Sequence, residues 1–136
     1  MRVFVDTNIL VDLIMAREPF LADAQSLFAH GYMGDVNLVI SALSFVNTVY
    51  IGKRYNISKQ IVIDKLLEVS KFVEVADLRG RDVIDMLSLD WKDYEDSTQY
   101  ACAKDEGCEC IVTRNMQDFA LSDIPVKSVA DIISVL

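Results

Sequence analysis

Short apolar runs alternate with longer stretches of helical spacing along this chain, and that alternation constrains its fold more than any other feature. β-Prone runs lie at residues 2–5, 36–40, 72–75, 110–113 and 125–127. Helical spacing is found at residues 9–14, 19–30, 41–55, 58–70, 77–89, 93–106 and 128–136, with a turn at 31–35. Strands that are separated by helices pair in parallel, because the crossover needs about that length of chain. The pattern predicts one α/β domain over residues 1–136, with a mostly parallel sheet flanked by helices.

Composition excludes several classes of protein. The chain has 136 residues, of which 52% are hydrophobic and 25% charged, so it can bury a core and is not disordered. No uncharged apolar run approaches the length of a membrane helix, and Asp6 and Asp12 interrupt the stretch where a signal peptide would be apolar. Three cysteines form an odd number in a chain that needs no disulfides. We expect reduced thiols and a cytoplasmic protein.

The charge balance bears on partners. A formal net charge of -8 argues against a protein that binds duplex nucleic acid through a broad basic face. Metal ions can still carry phosphate binding locally, and a basic protein partner would complement an acidic surface. The stretches 20–31 and 41–70 also carry more apolar residues than one core-facing stripe requires. We therefore expect a homodimer or a complex with a basic partner.

Polar residues follow several predicted strands, at the edge where open parallel sheets gather their chemistry. Asp6 comes directly after the first strand, where a buried carboxylate without a partner would be costly. The remaining candidates at such ends, or on the helices that follow, are Ser41, Asn47, Asp93, Asp96, Thr113, Asn115 and Asp118. These positions are remote in sequence, and only this topology brings them together.

Most of these residues also have an ordinary structural explanation. Asp6 is either a cap of the first helix, which Thr7 or Asn8 can equally cap, or a metal ligand or acid–base group. Asp93 is a natural N-cap, and Asp96 is an acidic first-turn residue on a face that looks packed. Asn47 lies within an apolar stripe at helical spacing, which consists of Leu43, Val46, Tyr50 and Ile51. A buried asparagine needs hydrogen-bond partners, so its side chain either bonds neighbouring backbone or lines a polar cavity.

Other kinds of site find less support. Asn115 and Asp118 are also common turn residues. A single histidine excludes histidine-triad and clustered-histidine zinc chemistry, and the three cysteines lack a fourth ligand. No phosphate-binding glycine loop is present, and a receiver or haloacid-dehalogenase-like domain would need a second acid close after Asp6. Carboxylates at a sheet edge remain, and hard oxygen ligands select Mg²⁺ or Mn²⁺, which support phosphodiester hydrolysis.

Four motifs together resemble the PIN-domain family, and most closely its small VapC-like toxins of toxin–antitoxin pairs. They are Val3-Phe4-Val5-Asp6-Thr7-Asn8-Ile9-Leu10, Ile40-Ser41-Ala42-Leu43-Ser44, Asp93-Tyr94-Glu95-Asp96, and Ile111-Val112-Thr113-Arg114-Asn115 through Asp118-Phe119. The resemblance covers essentially the whole chain. It implies a three-layer α/β/α sandwich with a parallel sheet, and a ribonuclease that cuts single-stranded RNA with Mg²⁺ or Mn²⁺.

The resemblance also implies roles for particular residues. Asp6, Asp96 and Asp118 match acidic positions of the family's metal site, and the supporting residues would be Thr7, Asn8, Ser41, Asp93 and Thr113. The family usually has an acidic residue where this chain has Asn47, and Asp where it has Asn115. Each amide keeps an oxygen donor but removes one negative charge, which should weaken metal binding.

Two functions follow from this resemblance. One is a metal-dependent endoribonuclease, the toxin of a toxin–antitoxin pair, whose site a basic antitoxin would block. The other is a catalytically weakened PIN-like domain that binds RNA or a protein, which the two asparagines favour. A Mn²⁺ titration with labelled single-stranded RNA discriminates between them.

Overall fold

Five parallel strands form the central sheet of the computed structural model, which describes residues 1–136. The strands are β1 (Arg2–Val5), β2 (Asn37–Ser41), β3 (Glu74–Ala76), β4 (Cys110–Val112) and β5 (Val126–Lys127). Their order is β3-β2-β1-β4-β5, so β1 lies in the middle, between β2 and β4. Every neighbouring pair is parallel, and Val3 of β1 lies opposite both Leu38 and Cys110.

Seven α-helices connect the strands. They are α1 (Thr7–Ile14), α2 (Leu21–Met33), α3 (Ala42–Gly52), α4 (Lys59–Ser70), α5 (Gly80–Leu87), α6 (Tyr94–Asp105) and α7 (Val129–Ile133). Two 3₁₀ turns, Lys53–Tyr55 and Met116–Phe119, complete the structure. Every helix is too short or too polar to cross a bilayer.

The two faces of the sheet bury two separate apolar clusters, which confirms the three-layer arrangement. Val3 and Val5 of β1 point into a cluster shared with α1, α2, α4 and α7. Phe4, between them, points to the opposite face and packs with Trp91, Phe119 and residues of α6. Side chains alternate across a strand, so a strand covered by helices on both faces is apolar at every position. This explains the uninterrupted Val-Phe-Val of β1.

Several predicted boundaries are wrong for identifiable reasons. Helix α1 is capped by Asp6 rather than by Thr7 or Asn8, since the Asp6 carboxylate accepts a hydrogen bond from the Thr7 amide. Helix α2 begins at Leu21, two residues after Pro19, and continues through the predicted turn to Met33. Gly34, with φ +84°, ends that helix instead of Gly31.

Gly31 has a packing role inside α2. A Cβ at this position would lie 2.6 Å from Cδ1 of Leu38, so only glycine lets the helix approach β2 this closely. The glycine that looked like a turn residue is therefore a contact residue.

Helix α3 packs with the opposite face from the one predicted. Its buried positions are Ser44, Thr48 and Gly52, which are small or polar. Val46 and Tyr50, from the apolar stripe expected to face the core, are 53% and 63% exposed. Small residues let α3 lie close to its neighbours, and a Cβ at Gly52 would lie 2.9 Å from Val62 of α4. The apolar stripe is therefore divided: Val46 and Tyr50 face solvent, whereas Ile51 packs against the core.

The three cysteines, Cys102, Cys108 and Cys110, are buried and free. Burial raises the pKa of the Cys102 thiol to about 12 and that of Cys108 to about 11. Such thiols stay protonated at neutral pH and pack as small apolar groups, as the sequence predicts.

Candidate metal centre at the sheet edge

Asp6 lies at the carboxyl end of the central strand and is only 6% exposed. The turn from β1 into α1 fixes its side chain, because Oδ1 accepts a hydrogen bond from the Thr7 amide at 2.8 Å. Oδ2 accepts a second bond from the Thr113 hydroxyl, also at 2.8 Å, across the gap to β4. Asp6 is therefore both the cap of α1 and a carboxylate held at the edge of the sheet.

Thr113 joins three of the predicted site residues. Its hydroxyl donates to Asp6 and accepts bonds from the Asn8 side chain at 3.3 Å and from the Asn115 backbone amide at 3.1 Å. The Asn115 side chain itself makes no hydrogen bond within the protein, and it is half-buried. The loop after β4 thus supplies its threonine to Asp6 and leaves the asparagine amide free.

Asp96 stands in the first turn of α6. Asp93 is the N-cap of this helix, as predicted, and accepts a hydrogen bond from the Asp96 amide at 3.1 Å. Asp93, Asp96 and Asp118 line one cavity of about 410 Å³, together with Gln117 from the loop after β4. The cavity brings an acidic residue of α6 and one of the β4 loop to a common space.

The carboxylates are close enough to act on one another's protonation. Burial raises the pKa of Asp96, and the negative charges of Asp6, Asp93, Asp118 and Glu95 add to this effect, so that the pKa reaches about 7. Burial also raises the pKa of Asp6 to about 6, although its hydrogen bonds from Thr113 and Thr7 oppose this. A cation between these groups would relieve the repulsion that shifts both values.

The donor chemistry fits a hard divalent cation, but the carboxylates are not closed around one. No group of three or more histidine, cysteine, aspartate or glutamate side chains lies near enough together to hold a metal ion in this arrangement. Asp118 is exposed and Asp96 is partly exposed, so both can rotate toward the fixed Asp6. All three offer oxygen, the donor that Mg²⁺ and Mn²⁺ prefer.

Two of the predicted residues stand apart from this cluster. Ser41 is buried and caps α3, accepting a hydrogen bond from the Leu43 amide at 3.1 Å. Asn47 is half-buried on α3, and its side chain makes no hydrogen bond within the protein. The structure joins neither of them to Asp6 or Asp96 by a side-chain hydrogen bond.

Sequence reasoning missed a buried polar contact beneath the site. Gln99 of α6 donates hydrogen bonds to the hydroxyls of Thr7 and Ser44. The sequence gives one indication of its position, because Gln99 lies one helical turn after Asp96. In the structure, this part of α6 is buried from Ser97 to Ala103.

A second missed feature is a buried ion cluster next to Asn8. Asp12 is 1% exposed and receives hydrogen bonds from Arg17 Nε at 2.8 Å and from Arg114 Nε at 2.6 Å. Arg17 also donates to the Asn8 carbonyl at 3.0 Å, and the Arg114 guanidinium stacks 3.8 Å from the centre of the Phe20 ring. Two arginines on one carboxylate tie the loop after β4 to α1.

Solved structures similar to this one include a bacterial toxin and a toxin–antitoxin complex. VapC20 of Mycobacterium tuberculosis, a toxin that cleaves the sarcin–ricin loop, is 18% identical, with a TM-score of 0.64 over 80% of this chain and 86% of that one. VapBC2 of Rickettsia felis, bound to promoter DNA, is 17% identical, with a TM-score of 0.67 over 94% of this chain and 98% of that one. A toxin–antitoxin complex of Klebsiella pneumoniae is 22% identical, with a TM-score of 0.65 over 93% of this chain and 97% of that one.

These likenesses are below the identity at which more than the fold carries over. No curated protein matches the sequence. The sequence profile described as PIN domain matches residues 2–117, a span that contains β1 to β4, Asp6, Asp96 and the Thr113 loop. The chain therefore belongs to the PIN-domain family.

Proposed function

We propose that this protein is a Mg²⁺- or Mn²⁺-dependent endoribonuclease that cleaves single-stranded RNA, and that it acts as the toxin of a toxin–antitoxin pair. One observation carries the proposal: the buried Asp6 and the partly buried Asp96 lie at the carboxyl edge of the sheet, close enough that the charge of Asp6 raises the pKa of Asp96. Membership of the PIN-domain family and the toxins among its structural neighbours support the same activity.

Asp6, Asp96 and Asp118 would hold the ion through carboxylate oxygens. A bound divalent ion neutralises charge on the phosphodiester and makes water a better nucleophile. Thr113 and the Thr7 amide keep Asp6 in one orientation, so the ion would meet one carboxylate that is already fixed. Asn47 and Asn115 are neutral amides and cannot take a proton from water at neutral pH, so that proton must go to one of the carboxylates.

The test is cleavage of a labelled single-stranded RNA during a Mn²⁺ titration. We expect the wild-type protein to cut, and Asp6→Ala and Asp96→Ala each to lower the rate by at least about a hundredfold, since each removes a charge from the metal site. Asp64→Ala is the matched control, because Asp64 is exposed on α4 and bonds only Gln60. Equal rates for the wild type and Asp6→Ala would refute the assignment.

A second candidate is a PIN-like domain that binds RNA or a protein with little cleavage. It is favoured by the neutral Asn47 and Asn115, and by the absence of three carboxylates already closed around one point. RNA binding by the wild type without cleavage at any Mn²⁺ concentration would identify it.

We also propose that a basic antitoxin covers an apolar groove between α3 and α4. The groove is lined by Phe45, Val46, Val49, Ile63, Leu66 and Leu67 and has a volume of about 330 Å³. An amphipathic helix would fill it, and basic side chains of the same partner would complement the charge of -8. The similar structure from Klebsiella pneumoniae is a toxin–antitoxin complex.

Co-expression with the product of an adjacent small reading frame tests this pairing. The complex should form with the wild type and be lost with Val46→Asp. Light scattering on the toxin alone separates the alternative, in which a second copy of this chain covers the same groove as a homodimer.

A further inference from the structure

Three polar side chains from three helices meet beneath the carboxylates. Thr7 of α1, Ser44 of α3 and Gln99 of α6 are 7%, 0% and 1% exposed. The two hydroxyl oxygens lie 2.6 Å apart, and Gln99 Nε2 lies 2.9 Å from that of Thr7 and 3.0 Å from that of Ser44. We call these three residues the polar triangle.

Hydrogen counting determines which way the Gln99 amide faces. Its NH₂ group has two hydrogens, one for each hydroxyl oxygen, which leaves a hydroxyl hydrogen to lie between Thr7 and Ser44. With a reversed amide, the two hydroxyl hydrogens would have to serve three contacts between oxygen atoms, so one of those contacts would have no hydrogen. The triangle is thus satisfied in one orientation only, while Gln99 Oε1 is buried without a protein partner.

The polar triangle connects the two halves of the candidate metal centre. Thr7 directly follows Asp6 and donates its backbone amide to that carboxylate. Gln99 lies one helical turn after Asp96 on α6. The bonds from Gln99 are the only side-chain hydrogen bonds that join α6 to α1 or α3. They span 92 and 55 residues of sequence, so no local contact can substitute for them.

An apolar side chain would fill this space without the cost of burying polar groups. The site next to it, however, needs a contact that holds α6 and α1 together. The charges of Asp6 and Asp96 repel each other and push their helices apart. A directional contact between α6 and α1 opposes that separation, whereas apolar packing allows the helices to slide. Polar groups of this kind fix one arrangement more than they add stability.

We propose that Gln99 is a positioning residue, which acts through Thr7 and Ser44 to keep Asp96, one turn earlier on α6, beside Asp6, so that both carboxylates can turn toward one divalent ion. The inference rests on the proposed metal-dependent function and adds a determinant of its ion affinity. Gln99 touches neither the ion nor the RNA.

The test uses two isosteric variants on different helices, Gln99→Met and Thr7→Val. Calorimetry with Mn²⁺ at pH 7.5 should show affinity lowered about tenfold or more in each, as for other residues that orient metal ligands. The rate of RNA cleavage at saturating RNA should fall while KM for RNA stays near the wild-type value. Thr7→Ser keeps the hydroxyl and should keep wild-type affinity.

The double variant separates positioning from general damage. Gln99→Met with Thr7→Val should lose clearly less affinity than the sum of the two single losses, because both changes remove the Gln99–Thr7 bond. Gln60→Met, an exposed glutamine on α4, controls for the substitution itself.

Wild-type affinity in Gln99→Met or in Thr7→Val would overturn the inference and leave the proposed function standing. A wild-type protein that binds no Mn²⁺ would overturn both. Because the two variants alter different helices, one that fails to fold leaves the other to decide.

Discussion

Asp6→Asn should stabilise the metal-free protein at neutral pH, although it removes the central carboxylate of the site. Asp6 is buried, and its pKa of about 6 in the folded protein stands against an ordinary value of 3.8. At pH 7.5 Asp6 is ionised in both the folded and the unfolded protein, and the difference in pKa then destabilises the folded state by about 3 kcal/mol. Asparagine has the same shape and no charge, so it avoids this cost.

Part of the gain is lost to a poorer hydrogen bond. The asparagine oxygen can still accept from the Thr7 amide, but its NH₂ group must donate to the Thr113 oxygen that now donates to Asp6. Rearranging that contact costs about 1 kcal/mol, which leaves a net gain of about 2 kcal/mol at pH 7.5. For a chain of this size, that gain raises Tm by roughly 6–10 °C.

The pH dependence follows from the direction of the shift. A raised pKa in the folded state means that folding binds a proton, so the wild-type penalty is absent at low pH and develops as pH rises through 6. At pH 4.5 only about 1 kcal/mol of the penalty remains, and the altered hydrogen bond cancels it. The wild type and Asp6→Asn should therefore have the same Tm at pH 4.5, and Asp6→Asn should have the higher Tm at pH 7.5.

The assay is thermal unfolding followed by circular dichroism in EDTA at both pH values. Asp93→Asn is the control, since it removes a nearby exposed charge while asparagine still caps α6. Its Tm should change by less than about 2 °C. A wild type that is at least as stable as Asp6→Asn at pH 7.5, or an equal gain at both pH values, would refute the reasoning. Added Mn²⁺ should narrow the gap, because only the wild type binds it well.

Three further predictions concern other parts of the molecule. Asp12→Ala leaves two partly buried arginines without their buried carboxylate and should lower the free energy of unfolding by about 3 kcal/mol in a urea titration. Asn47→Glu should raise both Mn²⁺ affinity in calorimetry and RNA cleavage, because it restores a negative charge on α3; slower cleavage than wild type would show that the amide is a working part of the site. Gly31→Ala should cost about 1 kcal/mol, because its Cβ would strike Leu38, whereas Gly80→Ala meets open space and should be neutral or slightly stabilising by the same titration.

The sheet and its edge could be predicted because their determinants are local. Val3-Phe4-Val5 is apolar at every position, which marks a strand covered on both faces, and Asp6 follows it directly. The cap at Asp93 could be predicted for the same reason, since a capping side chain bonds an amide only three residues away.

Features that depend on contacts with residues distant in the sequence could not be predicted. Gly31 looked like a turn residue because the sequence does not show that Leu38 sits against it. The stripe containing Val46 was expected to be buried, but α3 buries Ser44, whose hydroxyl accepts a hydrogen bond from a glutamine 55 residues further along the chain. A hydroxyl on a helix carries no sign of such a partner.

The place of β1 in the middle of the sheet has a consequence for synthesis. Asp6 is made 107 residues before its hydroxyl partner Thr113, which directly follows β4, the strand that pairs with the far side of β1. Until β4 has left the ribosome, β1 has an open edge and the carboxylate has no such partner. Closing so long a loop is slow compared with forming the helices. A growing chain therefore carries Asp6 without its Thr113 hydrogen bond until more than a hundred further residues have been made, and the carboxylate takes its final orientation only after β4 has paired with β1.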